Sequence, residues 1–127
     1  MKAKREKELK KHILLNEINY LKALLSGDCE TVLELSHFPC TLANAYGVQI
    51  VDRHQLRKHC EDYKHSLEGE LKFMSAKVEL LNHGTAIVSY QTTYGGVTMV
   101  DVSTWVESED GWRCAFHSEH PVVKYKL

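Results

Sequence analysis

The strongest constraint on the fold is a hairpin signal near the end of the chain, at Asp110-Gly111. A β-rich run over residues 97–105 leads towards this dipeptide, and a second strand-like run over residues 112–122 follows it. Asp-Gly favours a tight turn because these residues tolerate the positive φ that such a turn needs. We therefore predict that the chain closes with two antiparallel strands, with further strands and then helices before them.

The composition is that of one soluble globular domain spanning residues 1–127, with 43% hydrophobic and 26% charged residues. A net charge of −1 gives no global attraction to nucleic acid or to an acidic membrane. Residues 1–12 carry six Lys/Arg against two Glu, which favours an exposed basic extension of the first helix over an arm for an anionic partner. No segment resembles a membrane span or a secretory signal, so we expect a cytoplasmic protein.

The cysteines lack the spacing of a zinc finger or of a redox motif. Their even number allows two disulfides, but nothing else in the chain suggests secretion. We interpret them as free and mostly buried thiols, namely Cys29, Cys40, Cys60 and Cys114.

Three helices are predicted in the N-terminal half. Apolar residues recur at helical spacing in a first helix over about residues 5–26, namely Leu14, Ile18, Leu21 and Leu25. Asp28 suits the cap of a second helix over about residues 29–36, which the Phe38-Pro39 pair stops. Asp52 and Gln55 fit the capping box of a third helix.

Behind the helices, the hydrophobic pattern changes to the alternation typical of strands. Residues 74–80, 85–94 and 97–107 form three strand-like runs separated by glycine-containing turns, and the run over residues 112–122 is the fourth. Residues 41–51 are expected to form short extended pieces around Gly47. Three helices followed by four long antiparallel strands indicate an α+β fold.

Three phrases spread along the chain carry a family resemblance, namely "LKALLSGDCETVLEL", "YGVQIVDRHQLRKH" and "WVESEDGWRCAFHSEHPV". In this order they resemble the nuclear transport factor 2-like superfamily, in particular its polyketide-cyclase-like branch and its members of unknown function. The resemblance implies a cone, in which three helices pack in the concavity of a strongly curved, mainly antiparallel sheet. It also implies a pocket at the mouth of the cone and a homodimer formed through the outer sheet face.

The resemblance to this superfamily also suggests where a catalytic set could lie. Ketosteroid isomerase, a relative by fold, uses a carboxylate base with a tyrosine and a protonated carboxylic acid. Carried over by resemblance, Tyr20 lies near the place of the tyrosine and Ser103 near the place of the acid. Residues 38–47 contain no Asp or Glu where the base should be. The resemblance therefore does not supply a complete isomerase set.

Asp101 is the main candidate for an acid or base. It lies between Val100 and Val102 in a predicted strand, where Asp is disfavoured. If its side chain faces the cone, burial raises its pKa into the range of a general acid or base. If it faces outwards, it pairs with a basic side chain or a dimer partner. Its expected catalytic partner is Tyr20 or His120.

Regular alternation along the last strand divides its side chains between two faces. The set expected inside the cone is Trp112, Cys114, Phe116, Ser118 and His120, and the set expected outside is Arg113, Ala115, His117 and Glu119. A related kinase-association domain carries Trp…His-x-His on the comparable strand, with Phe116 and Ser118 at its two histidine positions. His117 and His120 would face opposite sides and could not bind one ion, so we expect no metal and no cofactor.

Three functions are considered, and the first is favoured over the other two. The first is a homodimer that binds a small, largely apolar molecule in its cone, and the second is a proton-transfer enzyme, an isomerase or lyase, with Asp101 as base. The third is a protein-association domain that acts through its outer sheet face, which outward-facing Val100, Val102 and Val106 beside Tyr90 or Val88 would favour. The candidate pocket residues are Tyr46, Tyr63, Ser103, Trp105, Cys114, Phe116 and Ser118.

Overall fold

The computed structural model describes residues 2–63 and 70–123. Its helices are α1 (Lys2–Ser26), α2 (Cys29–Glu34) and α3 (Arg53–Tyr63). Its strands are β1 (Ser36–Asn44), β2 (Gly47–Val51), β3 (Lys72–Asn82), β4 (Thr85–Tyr94), β5 (Val97–Ser108) and β6 (Gly111–Pro121).

The strands form one curved sheet in the order β2-β1-β6-β5-β4-β3. Neighbouring strands are antiparallel except for the parallel pair of β1 and β6. α1 lies in the concavity, where the ring of Tyr20 meets that of Trp105 on β5 at 6.3 Å between centroids. The predicted α+β cone is confirmed, and the predicted hairpin closes it between Ser108 and Gly111, whose φ is +110°.

Side-chain caps begin the two short helices, as the sequence predicted. The Asp52 backbone N–H donates to Gln55 Oε1, and the Gln55 N–H donates to Asp52 Oδ1, both at a distance of 2.8 Å. These two hydrogen bonds complete the capping box of α3. At the start of α2, Asp28 Oδ1 accepts a hydrogen bond of 3.3 Å from the Thr31 N–H. These caps satisfy backbone donors that have no partner inside the helix.

The passage from α2 into the sheet differs from the prediction. α2 ends at Glu34 rather than near residue 36, because the Leu35 carbonyl accepts a hydrogen bond of 2.6 Å from the Cys114 N–H of β6. This bond draws the chain into the sheet directly after the helix. The Phe38-Pro39 peptide, which is cis, therefore lies within β1 and does not end the helix.

The prediction that the cysteines are free thiols is half wrong. Cys40 and Cys114 are free and buried, but Cys29 and Cys60 form a disulfide between the start of α2 and α3. The spacing of 31 residues gave no sign of the pairing, which depends on the two helices packing side by side. Since disulfides are rare in reducing compartments, the cytoplasmic expectation loses one of its supports.

The core lies between the helices and the inner face of the sheet. Its fully buried apolar side chains include Ile13, Val32, Leu33, Leu56 and Val88. The basic start of α1 is helical over residues 2–12 and exposed apart from half-buried Leu9. Within residues 2–63 and 70–123, no helix is both long and apolar enough to cross a membrane.

Candidate functional site

A β-bulge in β6 determines which side chains enter the cone. Thr104 pairs with Phe116, whereas the next residue of β5, Trp105, pairs with Cys114. Two residues of β5 thus span three of β6, and Ala115 is the extra residue. A bulge interrupts the alternation of side chains between the two faces. The faces of β6 are therefore exchanged from Phe116 onwards.

The predicted inner set of β6 is correct before the bulge and wrong after it. Trp112 and Cys114 are buried in the core. His117 and Glu119 face the interior instead of the residues beside them, since they pair with inward-facing Ser103 and Asp101 of β5. Three residues predicted to lie inside the cone lie on the outer face instead, namely Phe116, Ser118 and His120. They pair in that order with the outward-facing residues Thr104, Val102 and Val100 of β5. His120 is exposed and cannot partner Asp101 in the cone.

His117 is the centre of a buried polar cluster and is only 4% exposed. Its Nε2 lies 2.9 Å from Glu119 Oε1, and its Nδ1 lies 2.6 Å from Ser103 Oγ and 3.6 Å from Glu17 Oε2. Burial alone would lower the pKa of His117, but the hydrogen bond to Glu119 and the neighbouring carboxylates raise it to about 9. The ring is therefore a cation at neutral pH and donates from both nitrogens.

Glu119 is the partner that holds the charge of this imidazolium. Burial opposes its ionisation, but the hydrogen bonds from His117 and Tyr63 lower its pKa below the ordinary value. The Tyr63 hydroxyl at the end of α3 donates to Glu119 Oε2 at a distance of 3.2 Å. His117 and Glu119 thus form a buried ion pair that α3 helps to position.

Glu17 of α1 is a functional candidate that the sequence reasoning missed. It is wholly buried and accepts hydrogen bonds from the Tyr90 hydroxyl at 2.5 Å and from Trp105 Nε1 at 2.7 Å. A signal was present, because Glu17 lies four residues after Ile13 and three before Tyr20, on the buried side of the helix. A carboxylate at that helical spacing within an apolar stripe deserves the same suspicion as Asp101.

Asp101 faces the interior, as one reading of the sequence predicted, and is 1% exposed. Its Oδ1 has no hydrogen-bond partner. Burial and the charge of Glu119 raise the pKa of Asp101 to about 7, while His117 and a hydrogen bond with Tyr90 act in the opposite direction. The carboxyl group is thus divided between its two protonation states near neutral pH. Its catalytic role remains a prediction.

Tyr20 brings an unpartnered hydroxyl to the same region. Its side chain is wholly buried, its ring lies 5.5 Å from that of His117, and its hydroxyl has no hydrogen-bond partner. Burial, and secondarily nearby Cys114, raises the pKa of Tyr20 well above the ordinary value. Tyr20 therefore remains a neutral hydrogen-bond donor.

The open space beside this cluster is small and is lined by both apolar and polar side chains. A cavity of about 30 Å³ is lined by Tyr20, Leu24, Leu42, Ala43, Asn44, His59, Tyr63, His117 and Glu119. That volume holds roughly one or two water-sized groups. A separate groove of about 270 Å³ shares Asn44 and His59 with this cavity and is also lined by exposed Tyr46. A larger groove of about 650 Å³, beside Lys22 and Asp28, contains none of the buried titratable cluster.

The predicted pocket residues are spread over four places in the structure. Tyr63 lines the cavity, whereas Ser103, Trp105 and Cys114 are buried in the wall behind it. Tyr46 borders the surface groove and its side chain is fully exposed. The outer face carries Phe116 and Ser118. The structure thus brings Asp101, Tyr20, Tyr63 and Ser103 to one cluster and separates the others from its open space.

The cluster also contains the donor set of a possible metal site. Asp101, His117 and Glu119 each offer one ligand atom, and these atoms lie within 4.8 Å of one another. From the sequence, His117 and His120 were the pair considered as metal ligands, because the side chains of β6 were expected to alternate regularly between its two faces.

Solved structures similar to this chain share its architecture at low sequence identity. One is a protein of unknown function from the DUF3225 family of Pectobacterium atrosepticum, with 17% identity, a TM-score of 0.78, and coverage of 91% of this chain and 92% of that chain. A second is a proposed dehydratase of the NTF2-like family from Streptomyces avermitilis, with 16% identity, a TM-score of 0.77, and coverage of 90% and 96%.

A third similar structure is a proposed ketosteroid isomerase from Parabacteroides distasonis, with 14% identity, a TM-score of 0.71, and coverage of 87% of this chain and 85% of that chain. No protein-family model and no curated protein matches the chain. The cone built around α1 and its likeness to these structures together show that the chain has the nuclear transport factor 2-like (NTF2-like) fold.

Proposed function

We propose that this protein is a proton-transfer enzyme for a small polar substrate, with Asp101 as its acid–base group. The observation that carries the proposal is the desolvated carboxyl group of Asp101, whose Oδ1 has no hydrogen-bond partner and which lies within 4.8 Å of the ligand atoms of His117 and Glu119. A carboxyl group whose pKa is about 7 is matched to taking and returning a proton near neutral pH. Binding of a largely apolar molecule has less support, because the cavity of about 30 Å³ is far smaller than the roughly 300–1,000 Å³ of ordinary ligand pockets.

Tyr20 would supply the hydrogen-bond donor where negative charge develops. Tyr20 lines the cavity and its hydroxyl has no hydrogen-bond partner, whereas both nitrogens of His117 are already hydrogen-bonded to Ser103 and Glu119. A donor fixed before the reaction stabilises an enolate-like oxygen in a desolvated site. Tyr20 would bind the carbonyl oxygen of the substrate, with the nearby positive charge of His117 adding electrostatic stabilisation, while Asp101 acts on an adjacent C–H bond.

The proton balance of this step is closed within the site. The Asp101 carboxylate takes the proton, and the electrons of the C–H bond form the C=C bond of an enolate whose charge rests on the oxygen. Collapse of the enolate restores the C=O bond, and carbon takes the proton back from Asp101. Return to a different carbon gives isomerisation. The proposed isomerase and dehydratase among the similar structures are compatible with proton-transfer chemistry on this fold.

Hydrogen–deuterium exchange tests the proposal without knowledge of the natural substrate. The metal-free protein is incubated in D₂O with a panel of small carbonyl compounds, and NMR follows the exchange of protons on the carbon beside the carbonyl. We expect Asp101→Asn to slow the catalysed exchange by at least about 100-fold, the usual contribution of a general base. Asp110→Asn, the same change at an exposed turn position, should leave the rate unchanged. Equal rates in the wild type and Asp101→Asn would contradict the proposal.

We further propose that the protein is a homodimer formed through its outer sheet face. Val48 and Ile50 of β2 are 72% and 70% exposed there, and Val100, Val102 and Val106 also face outwards. Tyr90 and Val88 face inwards and do not contribute. Sedimentation should show a dimer that Val100→Glu converts to a monomer, while Leu15→Glu on exposed α1 should not. A monomeric wild type would contradict this proposal.

A further inference from the structure

The buried cluster contains more carboxyl groups than basic groups. Glu17, Asp101 and Glu119 surround one imidazole, that of His117. Glu17 and Asp101 are 0% and 1% exposed, so water does not screen them. Buried carboxylates are stable only when they are paired, hydrogen-bonded or bound to a metal. The composition of the cluster therefore suits a cation as well as protons.

We propose that Asp101, His117 and Glu119 form a binding site for one divalent transition-metal ion, with Zn²⁺ the best match. Their ligand atoms already lie within 4.8 Å of one another on the neighbouring strands β5 and β6. Imidazole nitrogen and carboxylate oxygen are both ligand types that Zn²⁺ accepts, and three protein ligands leave a fourth position for water or substrate.

The hydrogen bonds around the three side chains orient them as outer partners orient metal ligands. Ser103 holds His117 Nδ1, which leaves Nε2 as the ligand atom, 2.9 Å from Glu119 Oε1. Tyr63 holds Glu119 Oε2, which leaves Oε1 towards the imidazole. Such partners fix which nitrogen and oxygen face the ion. An ion at this place replaces the proton shared by Nε2 and Oε1.

Two unpartnered polar atoms point to a ligand independently of the charges. Asp101 Oδ1 and the Tyr20 hydroxyl are both buried without a hydrogen-bond partner. Tyr20 lines the same cavity as His117 and Glu119, and that cavity shares Asn44 and His59 with the neighbouring surface groove. Asp101 would bind the ion directly, and Tyr20 would donate to, or accept from, a water molecule on it.

A metal ion bound here would regulate the proposed enzyme. Only this regulatory role rests on the proposed function, because the protein can bind a cation without being a catalyst. An ion bound to Asp101 uses the oxygen that would take the substrate proton. Zn²⁺ should therefore compete with proton transfer.

Calorimetric titration of the metal-free protein with Zn²⁺ alone tests the site. We expect saturation at one ion per chain, and affinity weakened by more than about 100-fold in Asp101→Asn and Glu119→Gln, because even outer partners of a ligand contribute about 10- to 100-fold. Asp110→Asn and His120→Gln change exposed groups and should titrate like the wild type. Mn²⁺, which suits carboxylates and not thiols, should bind at the same ratio and exclude the free cysteines as ligands.

Two results would overturn the site. One is a wild type without saturable uptake at one ion per chain, and the other is equal affinity in all the variants, which would assign the ion to exposed histidines. Circular dichroism of each variant verifies that its fold is intact. The deuterium-exchange experiment uses metal-free protein, so the cation site and the proton-transfer function can fail separately.

Discussion

On β5, Asp101 and Ser103 point into the cone, while Val100 and Val102 point to the outer surface. An ordinary antiparallel sheet with one solvated face shows the opposite arrangement, with polar residues outside. The side-chain pattern of β5 is therefore not that of a half-buried strand in a monomer. Its inner polar groups suit a site, and its outer valines suit an interface, so each face departs from the usual pattern where a function is proposed.

Glu17→Ala should have the larger of two effects on stability. It removes the acceptor of the Tyr90 hydroxyl and the Trp105 indole, and it takes one buried carboxylate away from the His117 imidazolium. Removing one partner of a buried charged network costs about 3–5 kcal/mol. Glu8→Ala makes the same change on the exposed part of α1 and should cost less than about 0.5 kcal/mol. Equal losses in the two variants, by chemical denaturation, would remove Glu17 from the cluster.

The smaller of the two effects is a dependence of stability on pH. The folded-state pKa of His117 is raised from 6.5 to about 9, so its contribution is complete below pH 6.5 and is lost as the pH rises to about 9. The loss should be on the order of 3 kcal/mol. Asp101, whose pKa is raised from 3.8 to about 7, acts with the same sign at lower pH.

His117→Gln should flatten the fall in the free energy of unfolding between pH 6.5 and about 9, and His120→Gln on the outer face should retain it. The two variants remove the same kind of side chain from opposite faces of one strand. A wild-type profile without this fall, or one abolished equally by both substitutions, would show that His117 is not a buried cation.

The local signals of the sequence were sufficient for the architecture. The capping box of Asp52 and Gln55, the turn before Gly111 and the alternation along β4 each act over a few residues, and each formed as predicted. The first strands were less visible, because β1 pairs in parallel with distant β6. Parallel pairing between distant segments leaves no turn signal to read.

The candidate site was only partly predictable for the same reason. Asp101 could be found because an Asp within a strand conflicts with local propensity. The choice of His120 over His117 failed because one unpaired residue exchanges every later side chain, and Ala115 has no feature that announces a bulge. Glu17 and the pair of Cys29 and Cys60 acquire their roles only when the helices meet other elements.

The last turn of α3 contains both a disulfide cysteine and a residue that lines the cavity. Cys60 is bonded to Cys29, and Tyr63, three residues later, holds Glu119. A helix anchored so near its end cannot withdraw Tyr63 far without moving α2 as well. We therefore expect the edge of the cavity beside Tyr63 to be rigid, so that a ligand of the proposed site would be selected by its size and bound with little rearrangement.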